Sequence, residues 1–250
     1  MTSIENFIEE SNKAGSAEEA FALFSSTLSK MGFDRIVYSL LTDHFSLQKK
    51  AGHGVAYNYP EDWMKYYAEK GYENEDPVPK QAFKSSRPFS WAELVNKTKL
   101  TATERKVMNE AEEAGLKDGI GIPLYGVHSE VAGIGLASSA GGVDINKNML
   151  CKLRAIASQF HMIYSEFMAI ETPIDNVRLT PREREVLLWV AEGKSDPVIA
   201  EIIGISVPTV RFHLNNIYQK LQANERTFAV VKALHLGLIS PSIIGAPYQG

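Results

Sequence analysis

The chain has one cysteine, Cys151, so no internal disulfide framework can form, and the content fits a reducing compartment. No apolar run approaches the roughly 20 residues that a membrane span needs. The first residues hold no basic-then-apolar leader. These absences lead to the expectation of a cytoplasmic protein with no membrane association. The six histidines are scattered, with no His-x-x-His or His-x-x-x-His pair, so no metal site is expected. There is no Gly-x-Ser-x-Gly elbow, and Cys151 has no evident base near it in sequence, so neither points to a nucleophile. Neither an enzyme nor a cofactor is therefore expected. Repeats and low-complexity segments are absent too. Charge is nearly balanced, 26 Lys and Arg against 30 Asp and Glu. What remains is 250 residues, 44% of them hydrophobic, enough for two buried cores.

The strongest local signal is at residues 179–239. Thr180 is placed to cap a helix, with Pro181 at its first position and Glu183 three residues on, the pattern of a capping box. Val186, Leu187 and Val190 give its buried stripe and Gly193 ends it. Ser195 is expected to cap a second helix, with Pro197 in its first turn and Ile199, Ile202 and Ile203 facing inward. Gly204-Ile205-Ser206 reads as a turn, with Ser206 capping a third helix. A fourth helix closes the segment.

The third helix points to a nucleic acid. Val210, Leu214, Ile217 and Leu221 recur at helical spacing. At about 100° per residue, Thr209, Phe212, Asn215, Asn216 and Gln219 lie opposite, flanked by Arg211 and Lys220. Asn and Gln can read adenine in the major groove, and Phe can touch a thymine methyl. Arg211, His213 and Lys220 suit phosphate contacts. Seven basic residues against six acidic ones leave the segment almost neutral. One copy would hold double-stranded DNA weakly, and a dimer on a two-fold site would double the contacts. A plain four-helix bundle with a polar face is the competing reading.

The rest of the chain is mixed. Residues 4–30 read as one helix with Ser16 a cap within it, 34–41 as a strand, 60–69 and 102–114 as helices. Residues 119–124 and 131–138 read as strands joined by a turn near 126–129. Residues 146–168 read as a long helix whose Met149, Leu153, Ile156, Phe160, Ile163 and Phe167 form a seam, for its own sheet or for self-association, with Leu150, Ala157 and Tyr164 as a second face. The expected class is α+β: an α/β/α sandwich with a mainly antiparallel sheet over 1–170, a linker at 171–178, an all-α helix-turn-helix domain at 179–239 and a flexible tail at 240–250. Tyr57, Tyr59, Trp63, Tyr66, Tyr67 and Tyr72 crowd together ahead of Asp76-Pro77, Phe89 and Trp91. They suit either an apolar pocket with a few polar tips or an aromatic core with Asp76 capping a turn.

Residues 179–239, with the closing Ala233-Leu234-His235-Leu236-Gly237-Leu238-Ile239, resemble the C-terminal domain of LuxR-type regulators. Glu183, Leu187 and Gly193 match positions nearly constant there, and Arg211 matches a DNA-contacting position. Asn215 stands where some members have Arg, so their base preferences do not carry over. Asn58-Tyr59-Pro60 with Trp63 and Tyr67, then Asp76-Pro77, Trp91 and the strand from Gly119 to Leu124, resemble the autoinducer-binding domain of LuxR-type quorum-sensing regulators. That resemblance implies a transcriptional regulator that binds an N-acyl-homoserine lactone, works as a homodimer and meets RNA polymerase. It implies that Trp63 donates to the lactone carbonyl, Asp76 accepts from the ligand amide, and Tyr59 donates to the acyl carbonyl. Tyr67 and Trp91 would wall the headgroup, and Val37 and Ser39 the chain side. In one respect the sequence departs: the Ser or Thr that many members carry in a later strand falls on Gly135 or Leu136, with hydroxyls only at Ser138 and Ser139. A member that needs no ligand, or answers a non-lactone, stays open. A phosphorylated response regulator carries a similar tail, but Asp34 and Asp43 do not make its acidic pattern.

Overall fold

The computed structural model describes residues 3–44, 49–126, 130–168 and 177–240. Residues 127–129 of the expected turn, 171–176 of the expected linker and 241–250 of the expected tail lie outside them. The chain divides into two compact units, one within residues 1–170 and one after them.

The first unit is built on five strands: β1 (Arg35–Leu40), β2 (Gly52–Tyr57), β3 (Phe89–Ser90), β4 (Lys117–Tyr125) and β5 (Val131–Ser138). Their order is β2-β1-β5-β4-β3, and every pairing is antiparallel. Helices α1 (Ser3–Ser11), α2 (Ala17–Ser29) and α7 (Lys147–Met168) cover one face. Helices α3 (Glu61–Glu69), α4 (Pro77–Ala82), α5 (Trp91–Lys97) and α6 (Ala102–Glu113) lie on the other. This is the expected α/β/α sandwich. Successive strand residues point to opposite faces, and β1 shows it. Ile36, Tyr38 and Leu40 enter the core under α1, α2 and α7, while Val37 joins the aromatic cluster of the other face. The first core closes round stacked Phe24 and Phe160, 4.2 Å apart, with Tyr38 edge-on to Phe160 at 5.6 Å.

One sequence expectation changes, four elements are added, and one open reading is narrowed. Residues 4–30 form two helices, because Ser16 Oγ accepts from Glu19 N–H while the Glu19 carboxylate accepts from Gly15 N–H at 2.7 Å. That reciprocal pair starts a new helix rather than sitting inside one. Strands β2 and β3 and helices α4 and α5 were not read: glycines interrupt β2 and prolines α4, while β3 and α5 are only two and seven residues long. The seam of α7 packs on its own unit: Leu153, Ile156, Phe160 and Ile163 are buried there. Ala157 and Tyr164, expected on a second face, are buried in that core as well.

The second unit holds α8 (Pro181–Ala191), α9 (Asp196–Ile203), α10 (Val207–Leu221) and α11 (Arg226–His235) round a single core. Thr180 and Glu183 form the expected capping box. Gly204 ends α9 at φ +67°, a left-handed conformation that glycine adopts without strain. Ser206 Oγ then accepts from Thr209 N–H. Helices α9 and α10 meet at 107°, within the range of helix-turn-helix pairs. Two details differ. Ser195 stands at the N-cap of α9 but makes no side-chain cap bond. Ile202 is 44% exposed, because Ile199 and Ala200 supply that helix's buried face. No single helix among the described residues is long and apolar enough to cross a membrane.

Candidate ligand cavity and DNA-reading helix

A cavity lies between the sheet and the helices α3 to α6. Its floor is nearly bare. One row across the sheet runs Val37, Gly135, Gly121 and Phe89, and the next runs Ser39, Gly133 and Pro123. The glycines let aromatic side chains lie against the backbone. A Cβ on Gly119 would sit 1.9 Å from Trp91 Cδ2, and one on Gly121 would sit 2.4 Å from Phe89 Cζ. Gly119→Ala must therefore expel Trp91 from its seat. We expect it to cost about 3 kcal/mol, the upper part of the overpacking range, as a lower urea midpoint. An unchanged midpoint would show that Trp91 is not held there.

The walls come from α3 and the turns after it. Trp63 and Tyr67, one helical turn apart, are both buried, with ring centroids 5.9 Å apart and edge-on geometry. Asp76 begins α4, where Oδ1 accepts from Val78 N–H at 2.8 Å and Oδ2 accepts from Tyr67 O–H at 3.0 Å. Burial pushes its carboxyl up to about 6, against those two hydrogen bonds. Burial likewise raises the Tyr59 and Tyr67 phenols. The aromatic crowd thus divides by partner. Tyr66 and Tyr72 donate to Glu110, Tyr72 at 2.6 Å, and Tyr57 is exposed. Tyr59, Trp63 and Tyr67 line the cavity.

Three buried cavity atoms have no hydrogen-bond partner among the described residues: Tyr59 Oη, Trp91 Nε1 and His53 Nε2. Leaving a polar group unmet costs about 1–3 kcal/mol apiece. A plain aromatic core gives no reason to keep three of them round one apolar space. A ligand with matching acceptors does.

On α10, Val210, Leu214, Ile217 and Leu221 are buried, as their spacing requires. Arg211, Phe212, Asn215 and Gln219 are exposed, and Thr209, His213 and Asn216 half-buried. Phe212 is 61% exposed, a large apolar surface among polar neighbours. Arg211 Nε lies 3.4 Å from Asp196 Oδ2. Asp196 Oδ1 accepts from Arg226 at 2.6 Å, and the Arg211 side chain is 69% exposed. Lys220 behaves differently: its Nζ is 2.6 Å from the buried carboxylate of Glu183. It fastens α10 to α8 from the flank of the polar face, with its side chain still 36% exposed.

Comparison with known proteins identifies both domains. Residues 16–163 match the model of the autoinducer binding domain, and residues 177–233 that of the bacterial regulatory proteins of the luxR family. The transcriptional activator BjaR1 of Bradyrhizobium diazoefficiens is 30% identical over 237 residues, covering 94% of this chain and 96% of its own. The quorum-sensing regulator RhlR of Pseudomonas aeruginosa is 30% identical over 227 residues, covering 89% of this chain and 90% of its own. The chain belongs to the LuxR family. In fold it is similar to Escherichia coli SdiA, with a TM-score of 0.72, 23% identity, and coverage of 95% of this chain and 98% of that one.

As a LuxR-type quorum-sensing regulator, the protein carries an autoinducer-binding domain followed by a helix-turn-helix DNA-binding domain, and the family is not enzymatic. Tyr59, Trp63, Tyr67, Asp76, Trp91, Val37 and Ser39, picked out in the sequence, all line one cavity. The missing Ser or Thr is resolved as well. Residue 135 faces the cavity, where a Cβ would lie 2.8 Å from Val37 Cγ1 and 2.9 Å from Tyr59 Oη, and Leu136 enters the opposite core. In this LuxR-type cavity the Tyr59 hydroxyl stands where a side chain at 135 would be. Ser138 Oγ accepts from Gly141 N–H and Ser139 Oγ donates to Asp34, so neither hydroxyl serves that wall. Sequence reasoning missed His53. It stands on β2, between two glycines that hide the strand's alternation, and only the strand pairing brings it to the cavity.

Proposed function

We propose that the cavity binds an N-acyl-homoserine lactone and that the protein then reads promoter DNA as a homodimer. The observation that carries this is one carboxylate acceptor, Asp76, facing an apolar cavity edged by unpartnered donors. An N-acyl-homoserine lactone offers the complement: an amide N–H, two carbonyls and an apolar chain. Tyr59 donates to the acyl carbonyl, Trp63 to the lactone carbonyl, and Asp76 accepts from the amide. Tyr67 and Trp91 enclose the headgroup, and Val37 and Ser39 border the chain. Residues 1–170 sense and dimerise, 171–178 link, and 179–239 bind double-stranded DNA. Thr209, Arg211, Phe212, His213, Asn215, Asn216, Gln219 and Lys220 contact the DNA. The protein acts in the cytoplasm beside RNA polymerase.

Thermal melting with lactones of four to twelve acyl carbons tests the ligand. At a hundredfold excess over Kd, a ligand adds about 2.7 kcal/mol. For a protein of this size that raises Tm by roughly 5–10 °C. A folded protein that no lactone shifts would sink the reading. Arg211→Ala should abolish specific DNA binding in a gel-shift assay with Tm unchanged, because its protein contact is a surface pair worth about 0–1 kcal/mol. Wild-type DNA affinity in that variant would remove Arg211 from the interface.

A further inference from the structure

One cavity group without a partner among the described residues, His53 Nε2, has no role in holding the lactone headgroup or amide. On the lactone reading, Tyr59 and Trp63 take the two carbonyls, Asp76 takes the amide N–H, and Trp91 lies against the headgroup. Nothing in a plain acyl chain answers His53.

His53 is held in one orientation. Its ring stacks on Tyr67 with centroids 4.4 Å apart and planes 17° apart. Nδ1 lies 3.2 Å from Ser39 Oγ, which also accepts from Gly54 N–H at 3.1 Å. Ser39 Oγ keeps its own proton to give to Nδ1, and in that tautomer the ring proton stands on Nε2. Burial lowers the imidazole to about 4, so the ring is neutral at pH 7. Nε2 is buried and has no partner among the described residues, and Ser39 and Leu41 line the cavity beside it. On the lactone reading Ser39 borders the chain and Tyr67 the headgroup, so His53, which touches both, stands where the chain leaves the headgroup.

We propose that His53 selects the ligand's acyl group: its Nε2–H donates to an oxygen on the acyl chain, so the cognate lactone carries an oxo or hydroxyl substituent there. This rests on the lactone reading of the cavity. A plain chain leaves the N–H buried and unmet, a difference of about tenfold in affinity.

The test is calorimetric titration of the full-length protein with octanoyl-homoserine lactone and its 3-oxo, 5-oxo and 7-oxo derivatives. At least one oxo derivative should bind the wild type about tenfold more tightly than the parent. His53→Phe keeps a ring on Tyr67 and removes the donor. It should bind the parent at least as tightly and show no preference, and His53→Ala, run beside it, carries the same expectation. Tight binding of the parent with no oxo preference, or a preference that survives in either variant, overturns this proposal alone. Failure of all four lactones to bind folded wild-type protein overturns the lactone reading and this proposal together.

Discussion

Asp76→Asn should weaken lactone binding roughly 10- to 100-fold, yet make the ligand-free protein more stable at pH 8. Both effects come from one buried carboxylate. In the proposed complex it accepts from the ligand amide, and a charged acceptor contributes about 1.5–3 kcal/mol. Asparagine still accepts from Val78 N–H as a helix cap, but it gives up the charge. Without ligand, that charge is a burden. Burial holds the folded carboxyl near 6, above the roughly 3.9 of an unfolded aspartate. Between those values the folded state holds the proton more tightly, so stability falls as pH rises through the window and levels off above it. The cost at pH 8 is about 3 kcal/mol, and the asparagine variant escapes it.

His53 and His161 are both lowered to about 4 by burial, so their contribution runs the other way and is lost as pH falls from about 6.5. Both are present in wild type and variant, so the difference between the two proteins isolates Asp76. Urea unfolding at pH 5 and pH 8, with lactone titration at pH 8, checks both halves. A stability gap that ignores pH would show that the carboxyl is not buried as a charge. Unchanged lactone affinity would remove Asp76 as the amide acceptor.

Glu183→Ala should cost the DNA-binding unit about 3 kcal/mol. The Glu183 residue is 3% exposed, and its Oε2 accepts from Thr180 N–H at 2.7 Å and from Lys220 Nζ at 2.6 Å. Burial pushes this carboxyl up, but the bonds from Lys220 and Thr180 outweigh it and hold it below the usual range. Alanine loses the return half of the capping box, about 1 kcal/mol, and a charge-assisted bond of about 1.5–3 kcal/mol. The loss stops there because the Lys220 side chain is 36% exposed and can turn to water. Glu183→Gln keeps an acceptor for Thr180 and should lose about half as much. Unfolding followed by circular dichroism, alongside DNA affinity, reads the loss. A change below about 1 kcal/mol would mean that α8 and α10 are held by their apolar core alone.

Local signals carried the second unit almost whole. Thr180 and Glu183 stand in a box that depends on three-residue spacing. Val210, Leu214, Ile217 and Leu221 are buried because one helix face must be. Ile202 failed the same reasoning, since a short helix meets its neighbours over less of its surface than its hydrophobicity suggests. The pairing of Lys220 with Glu183 was not legible either, because helical spacing cannot show a contact between helices.

The first unit depended more on pairing. The sequence by itself determined the two-part organisation, the capping of α8 and α10, and a candidate set of Tyr59, Trp63, Tyr67, Asp76 and Trp91 that lines one cavity, because short spacings and a family resemblance marked them. Tertiary structure alone decided that Tyr66 and Tyr72 turn away to Glu110 while Tyr59 keeps an unanswered hydroxyl. It decided that Gly135 lies opposite Val37 and Gly121, so that the cavity floor is bare backbone. It also brought His53 to Ser39 and Tyr67. The reason is the same in each case: antiparallel register joins residues far apart in the chain, and strand alternation interrupted by glycine leaves no local trace of that register.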